Sequence, residues 1–299
     1  MKKGRSLWIL VFFFCACTGN KPAPSAIVVQ TDFGVKDGAV AAMKGVAIGV
    51  DSRIAIVDLT HEIPAYNIWE AAYRLNQVIR FWPVNTVFVS VVDPGVGTER
   101  RSIVAKTKSG HYIVTPDNGT TTLVADEVGI ESVRIIDEAL NRREGSDSSY
   151  TFHGRDVYMY TAARLAAGKI SFNEIGPEYA DSLKVITYQA AVNSRGLIRG
   201  NIPVLDPQYG NVWTNVTSGI LNASGIRTGD SLNVAIRLMD SLVYAGKVKL
   251  VNTFGDVAEG QSLGYLNSLM NFSLAINMGN FAERYRISSG PDWNITIFK

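Results

Sequence analysis

Short apolar runs alternate with amphipathic segments through the first half of the chain. Over residues 68–81, Ala72, Leu75 and Ile79 recur at helical spacing on one face. Residues 86–92 are apolar along nearly their whole length, which is typical of a central strand in a parallel sheet. This alternation predicts βαβ units, and therefore a mainly parallel sheet flanked by helices. The predicted elements are strands at 26–30, 53–59, 86–92, 102–106 and 111–115, of which the last two form a hairpin, and helices at 37–49, 68–81 and 156–167.

The pattern changes near residues 190–200, after which strands replace helices. Alternation is clean in Leu232, Val234, Ile236 and Leu238, where every second side chain is apolar. Predicted strands lie at 197–205, 212–217, 232–238, 247–252 and 274–277. The chain is therefore predicted to be an α/β protein, with an N-terminal α/β domain at 26–192 and a small β-barrel or sandwich at 193–299.

The first seventeen residues are typical of a targeting signal and not of a folded domain. Basic Lys2, Lys3 and Arg5 precede an apolar stretch at 7–14 that is too short to span a bilayer. The stretch ends in Phe14-Cys15-Ala16-Cys17, which indicates a bacterial lipoprotein signal with Cys17 as the lipidated residue. An ordinary secretory signal is the alternative. Residues 18–25, with two prolines, are predicted to be a short tether.

A lipidated Cys17 would place the protein on the periplasmic side of a Gram-negative-type cell envelope. Thr18 is not the aspartate that commonly retains lipoproteins at the inner membrane, so we expect the outer membrane. Both cysteines of the chain lie in the signal, which leaves the mature fold without a disulfide or a cysteine-bound metal.

Composition argues against nucleic acid as a partner. Loss of the signal's three basic residues leaves 26 basic side chains against 27 acidic ones, a net charge of about −1. The chain has no basic run, so binding to nucleic acid is unsupported.

Three chemically capable residues stand at the ends of predicted elements. Asp93 ends an apolar run, Arg100 closes the turn-rich segment that follows it, and His153 precedes a helix. A carboxylate, a guanidinium and an imidazole together can hold and polarise one water molecule. Taken singly, Asp93-Pro94-Gly95 is also what a plain turn requires, and a lone histidine is more often structural than catalytic. The three histidines have no metal-ligand spacing, and we expect no metal site.

Asp32 follows the first predicted strand and precedes the first helix. Ligands of open α/β sheets bind beyond the carboxyl ends of strands, where an aspartate can accept both hydroxyl hydrogens of a ribose diol. A helix-capping aspartate is the alternative. The sequence has no Gly-x-Gly-x-x-Gly motif and no Walker lysine loop, so a dinucleotide or nucleotide-phosphate site is not expected.

The segment 206–215 opens the second domain with an acid, three amides and two aromatic rings around one glycine. Aromatic faces stack on purines, an asparagine can pair with a purine edge, and an aspartate can hold an ammonium group. A decorated β-turn is the alternative. The candidate residues are Asp206, Tyr209, Asn211 and Trp213.

Together these segments resemble the S-adenosyl-L-methionine (SAM) hydroxide adenosyltransferase family, also called SAM hydrolases, which is related to the fluorinases and chlorinases. The resemblance covers residues 26 to about 285 and follows the family's order. It rests on Thr31-Asp32-Phe33-Gly34, Asp58-Leu59-Thr60-His61-Glu62-Ile63-Pro64, Val91-Val92-Asp93-Pro94-Gly95-Val96-Gly97-Thr98, Pro116-Asp117-Asn118-Gly119, Phe152-His153-Gly154-Arg155-Asp156, Tyr209-Gly210-Asn211-Val212-Trp213-Thr214-Asn215 and Asn267-Ser268.

The resemblance implies a fold, an assembly and a reaction. The family has an α/β domain followed by a small β-barrel, and forms trimers that hold the ligand between one subunit's first domain and its neighbour's second. Its hydrolases carry an Asp, an Arg and a His that match Asp93, Arg100 and His153, whereas the halogenases lack this triad. The implied reaction converts SAM and water to adenosine and L-methionine, with SAM as substrate and no cofactor.

The resemblance also implies binding roles. Asp32 would hold the ribose hydroxyls, Asp206 and Ser268 the methionine end, and Asn211 the adenine edge between Tyr209 and Trp213. Met270 stands where relatives commonly have glycine, so we expect a narrower pocket. The alternatives are transfer of the adenosyl group to a halide, and an envelope lipoprotein that binds a nucleoside without turning it over.

Overall fold

The computed structural model describes residues 24–299, and the predicted signal with Cys17 lies outside them. The N-terminal part contains a six-stranded sheet with the order β2-β1-β3-β5-β4-β6. All its strands run in one direction except β4, which is antiparallel to both of its neighbours. Its strands are β1 (Ile27–Thr31), β2 (Ile56–Thr60), β3 (Val87–Val91), β4 (Ser102–Thr107), β5 (Tyr112–Pro116) and β6 (Ile130–Ile135).

Helices cover both faces of this sheet, which is why every residue of β1 and β3 is buried. On one face Met43 and Ala163 pack against Val89, and on the other Leu75 packs against Phe88. The mainly parallel sheet flanked by helices is therefore confirmed. The helices are α1 (Ala39–Val50), α2 (Ile68–Val78), α3 (Thr122–Glu127), α4 (Glu138–Asn141) and α5 (Tyr160–Ala166), which a π-helical segment, Gly154–Met159, precedes.

Several element ends differ from the sequence-based prediction. The helix predicted over 68–81 ends as an α-helix at Val78 and finishes in the 3-10 turn Ile79–Phe81, because Pro83 disfavours helical backbone just before it. The helix predicted from Asp156 begins two residues earlier, in the π-helical segment. The second strand begins at Ile56 instead of residue 53.

The C-terminal part is a curled sheet of nine strands, a half-barrel with β7 and β9 at its edges. Alternate side chains of most of its strands fill one core, as in Leu232, Val234 and Ile236. The strand predicted over 197–205 is in fact two strands, since Pro203 between them has no N–H to donate. The strands are β7 (Val192–Ser194), β8 (Leu197–Asn201), β9 (Val204–Leu205), β10 (Val212–Thr217), β11 (Ser231–Leu238), β12 (Ser241–Leu250), β13 (Ser262–Leu266), β14 (Asn271–Ile276) and β15 (Trp293–Phe298), with helices α6 (Ser218–Ala223) and α7 (Phe281–Tyr285).

Helix α2 joins the two sheets. Its Trp69 is buried with Tyr73 and with Val204 of β9, and the Trp69 Nε1 donates a hydrogen bond to the Pro203 carbonyl at 2.9 Å. No helix within residues 24–299 is both long enough and apolar enough to span a membrane.

Gly176 brings the segment after α5 back against the end of β6. Its φ of +155° is open to glycine, and a Cβ there would lie 2.8 Å from the Asp137 backbone nitrogen. Asp137 in turn caps α4, because its carboxylate accepts from the Ala139 N–H at 3.0 Å. This close approach fixes α4 beside the carboxyl edge of the sheet.

Candidate active site

The loop between β3 and β4 carries Asp93 at its start and Arg100 at its end. The Asn118 side chain donates to the Val92 carbonyl at 2.8 Å, which fixes the chain where the loop begins. Within the loop a Cβ on Gly95 would lie 3.0 Å from Cγ of Arg100, so the arginine side chain packs directly over the glycine. The turn that is expected of Asp93-Pro94-Gly95 is present, and it turns the two side chains toward each other.

Asp93 and Arg100 form a nearly buried ion pair with two parallel hydrogen bonds. Arg100 Nε lies 2.9 Å from Asp93 Oδ1, and Nη2 lies 2.6 Å from Oδ2. The side chains are only 11% and 6% exposed. Burial alone would lower the pKa of Arg100, but the hydrogen bonds to Asp93 and the charges around it raise that pKa above its ordinary value. Arg100 is therefore a fixed positive charge at the base of the site.

Two further hydroxyl groups complete this pair. Arg100 Nη1 donates to Ser102 Oγ at 2.9 Å, and the Tyr158 hydroxyl donates to Asp93 Oδ2 at 3.2 Å. Burial, followed by the charge of Asp93, raises the pKa of Tyr158, so its hydroxyl stays protonated and remains a donor. The Asp93 carboxylate is thus oriented by two side chains on different elements.

His153 lies on the other side of Arg100, at the start of the π-helical segment. Its Nδ1 is 2.8 Å from Nη2 of Arg100, and its Nε2 is 3.0 Å from Nη2 of Arg142. Gly154 allows this placement, because a Cβ there would be 3.3 Å from both the Phe33 ring and Val91 Cγ1.

The environment of the ring keeps His153 neutral. Burial lowers its pKa, Arg100 and Arg142 lower it further, and Glu138 and Asp93 oppose the shift without reversing it. His153 is 4% exposed and carries no positive charge at neutral pH.

Asp32 lies in the same cleft as Asp93 and His153. It follows β1, the parallel neighbour of β3, so both aspartates stand at the carboxyl edge of the sheet. Asp32 Oδ2 accepts from the Tyr66 N–H at 2.9 Å, which fixes the plane of the carboxylate. The cleft has a volume of about 250 Å³, and its lining residues all come from the part of the chain between Asp32 and Gly154. This volume is below the roughly 300–1,000 Å³ usual for pockets that enclose a small molecule.

The other two histidines have structural partners. His61 lies 2.9 Å from Thr31 Oγ1 and 3.1 Å from Asp58 Oδ1, and His111 lies 2.9 Å from the Trp82 carbonyl. Residues 24–299 contain no group of three or more His, Cys, Asp or Glu side chains arranged to hold a metal ion.

The C-terminal candidates lie apart from this cleft within one chain. Asp206 Oδ1 closes its own turn by accepting from the N–H groups of Gln208 and Tyr209 at 3.0 and 3.3 Å. Tyr209 is 66% exposed, whereas Asn211 is buried. Trp213 is half-buried and packs against the buried cluster that contains Trp69, Tyr73 and Val204.

Ser268 lies on the turn between β13 and β14. It is exposed, and it faces Thr60 and Glu62 across a depression separate from the Asp32 cleft. Met270, in the same turn, has a φ of +62°, a left-handed conformation that glycine adopts most easily. This explains why glycine suits the position. The Met270 side chain is 54% exposed.

Four residues of the site had not been predicted from the sequence. Ser102, Arg142 and Tyr158 contact the predicted triad only through the fold, and Glu138 bonds to Arg142. Arg142 belongs to a polar loop, 141–151, whose only signal was an unusual density of charge just before His153.

Comparison with known proteins identifies the same family that the motifs resemble. Residues 27–176 match the model of the SAM hydroxide adenosyltransferase N-terminal domain, and residues 200–294 match that of its C-terminal domain. The chain is 33% identical to the (R)-S-adenosyl-L-methionine hydrolase of Methanocaldococcus jannaschii over 86% of each protein. It is 28% identical to the fluorinase of Actinopolyspora mzabensis, over 90% of this chain and 96% of that protein.

A solved structure shows the same fold. The crystal structure of an uncharacterized conserved protein from Thermotoga maritima superposes with a TM-score of 0.82 at 31% identity, covering 91% of this chain and all of the other.

Removal of the Arg100 charge is expected to destabilise the fold. Arg100→Gln leaves the buried Asp93 carboxylate without its cation, and we expect a loss of about 3 kcal/mol in the free energy of unfolding. Arg101→Gln is the matched control, because Arg101 pairs with Asp181 at the surface, where the loss should stay below about 1 kcal/mol. Urea unfolding at pH 7 measures both.

A double variant checks the cause. Adding Asp93→Asn to Arg100→Gln should restore part of the lost stability, because a neutral amide needs no cation. Equal losses for Arg100→Gln and Arg101→Gln would contradict a buried ion pair.

Proposed function

The chain belongs to the SAM hydroxide adenosyltransferase family, and we propose that it is an enzyme that hydrolyses S-adenosyl-L-methionine to adenosine and L-methionine. The observation that carries this proposal is the cluster of Asp93, Arg100 and His153 in one cleft with Asp32. The relatives named hydrolases are named for the (R) form of the substrate, so this epimer is the first to test.

The proposed reaction is an in-line displacement at C5′ of the ribose. The water oxygen forms a bond to C5′ as the C5′–S bond breaks, and the bonding electrons return to sulfur. Methionine leaves as a neutral thioether, and the water gives up one proton. A sulfonium is a good leaving group and needs no acid, so the barrier lies in the weak nucleophile.

The side chains of the site can orient and activate a water molecule, which is otherwise a weak nucleophile. Asp93 lines the cleft and can accept a hydrogen bond from the water, which orients its lone pair toward C5′. Arg100 lies directly behind Asp93, and its positive charge stabilises developing hydroxide. His153 completes the arrangement as a neutral ring. Asp32 retains lone pairs for the ribose hydroxyls after accepting from Tyr66.

Water is favoured over a halide in such a site. A halide ion must shed its hydration and is best received by an apolar pocket, whereas this cleft presents a carboxylate and polar donors. Because fluorinases are among the relatives, halide transfer is the alternative outcome of the test.

Activity assays on the full chain test the chemistry. We expect adenosine and L-methionine as products, with the adenosine 5′-oxygen labelled when the reaction runs in ¹⁸O-water. Asp93→Ala and Arg100→Ala should each lower turnover by about two to four orders of magnitude while SAM still binds, because the loss falls on the water. His153→Ala should cost roughly ten- to a thousandfold.

Arg101→Ala is the control for loss of a neighbouring arginine and should keep normal turnover. A 5′-halo-5′-deoxyadenosine product in chloride or fluoride buffer would support halide transfer instead. Unchanged SAM with measurable binding would support a binding lipoprotein, and near-normal turnover of Asp93→Ala would remove the triad from the mechanism.

We further propose a homotrimer with sites shared between subunits. The cleft at Asp32 is small and one-sided, and the C-terminal candidates of the same chain do not line it. A neighbouring chain would supply Asn211 for the adenine edge, with Tyr209 and Trp213 as walls. Its Asp206 and Ser268 would contact the methionine end.

Mixing two inactive variants tests shared sites. Asp32→Ala damages one half of the site and Asn211→Ala damages the other, so mixed trimers should contain some intact sites and regain activity. Light scattering should give the mass of three chains. No recovery after verified subunit exchange, or a fully active monomer, would rule out sharing.

We also propose that the protein is lipid-anchored through Cys17 on the periplasmic side of the cell envelope, and we expect it in the outer membrane. The support is the sequence of the signal, whose residues precede the described structure. Cys17→Ser should release the protein from membranes and block lipid-dependent processing. Fractionation of cells measures this, and unchanged membrane retention of Cys17→Ser would contradict the anchor.

A further inference from the structure

His153 is held between two guanidinium groups, and only one of them belongs to the triad. Arg100 faces Nδ1 and Arg142 faces Nε2, at 2.8 and 3.0 Å. A neutral imidazole has one acceptor nitrogen and one N–H, so it can accept from only one of these donors. A protonated ring would present an N–H to both guanidinium groups.

Arg142 is itself fixed from several sides. Its Nη2 lies 2.5 Å from Glu138 Oε2, one turn away on α4, and its Nη1 faces the carbonyls of Ser146 and Ser149 at 3.4 and 3.3 Å. The guanidinium carbon lies 5.1 Å from the centre of the Tyr150 ring. Only 9% of the Arg142 side chain is exposed. A side chain held this firmly can set the orientation of the ring it touches.

The charged and polar groups around His153 come from three elements. The β3–β4 loop contributes Asp93 and Arg100, α4 and its end contribute Glu138 and Arg142, and the neutral Tyr158 hydroxyl lies on the π-helical segment. The two arginines oppose protonation of the ring, and the two carboxylates favour it. The balance therefore depends on Arg142 as directly as on Arg100.

We propose that Arg142 is a positioning residue that holds His153 as a neutral ring with a guanidinium group facing each of its nitrogens, so that the proton of the attacking water passes to the Asp93 carboxylate. This step rests on the proposed function. Asp93 is suited to the task because it lines the cleft beside Asp32, and from there the proton can leave to solvent. His153 then supports Arg100 and does not act as the base.

The test uses Arg142→Gln in the full chain, with Arg143→Gln as its matched control. Arg143 is the adjacent residue and bonds to Asp156 at 2.8 Å, so the control removes equal charge from the same loop. The first readout is the NMR titration of His153, assigned by its loss in His153→Asn. The second is kcat and KM as a function of pH.

In Arg142→Gln the titration of His153 should move to higher pH, because a positive neighbour has gone. We expect kcat to fall about tenfold at pH 7 with KM changed less than about threefold, since the loss falls on the water and not on binding. Activity should be present above the raised pKa and lost as the pH falls through it. Arg142→Lys should recover part of kcat, and Arg143→Gln should change neither readout.

Glu138→Gln should shift the titration of His153 in the opposite direction. It removes a carboxylate that favours protonation, so the titration of His153 should move to lower pH. This variant also decides the matter if Arg142→Gln fails to fold. An unchanged titration in Glu138→Gln and Arg142→Gln, or equal losses of kcat in Arg142→Gln and Arg143→Gln, would overturn the proposal. A wild-type chain that turned over no SAM would overturn the proposed function, and the NMR titration would still decide whether Arg142 keeps His153 neutral.

Discussion

The buried guanidinium of Arg100 is the constraint to which the rest of the site conforms. A buried cation is costly unless each of its donors meets an acceptor, and here the acceptors come from three separate elements. Asp93 begins the same loop, Ser102 begins β4, and His153 precedes the helix that covers the sheet. The length of the loop, the register of β4 and the position of the helix must therefore agree. Stability and chemistry draw on the same contacts in this part of the molecule.

The position of the site could be predicted from the sequence because it follows from the topology of the sheet. Asp32 and Asp93 each follow an apolar run, and parallel strands bring their carboxyl ends to one edge. The change from helices to strands near residue 193 likewise predicts the second sheet, because the recurrence of apolar Leu232, Val234 and Ile236 at every second position is typical of a half-buried strand. Periodicity and the end of a strand are local properties, and both can be found without a structure.

Contacts between distant segments could not be predicted in this way. Arg142 and Glu138 belong to a charged loop and a one-turn helix, and their composition alone is typical of a solvated surface. Tyr158 is separated from Asp93 by a long stretch of sequence, and nothing in its neighbourhood distinguishes it from other buried tyrosines. The turn at Met270 could not be predicted for a different reason. Its backbone is left-handed, although the position holds methionine and not the glycine that favours this conformation. Side chains that act through tertiary contacts need the coordinates.

The π-helical segment Gly154–Met159 gives the helix after His153 one residue more per turn than an α-helix has. Such a turn is equivalent to the insertion of a single residue, and each residue rotates an α-helix by roughly 100°. Deleting one residue there would let the backbone relax into regular α-helix, and would swing His153 away from Arg100 while the buried face of α5 stayed in place. The helix therefore departs from regular α-helical geometry next to His153, where the orientation of the imidazole depends on it.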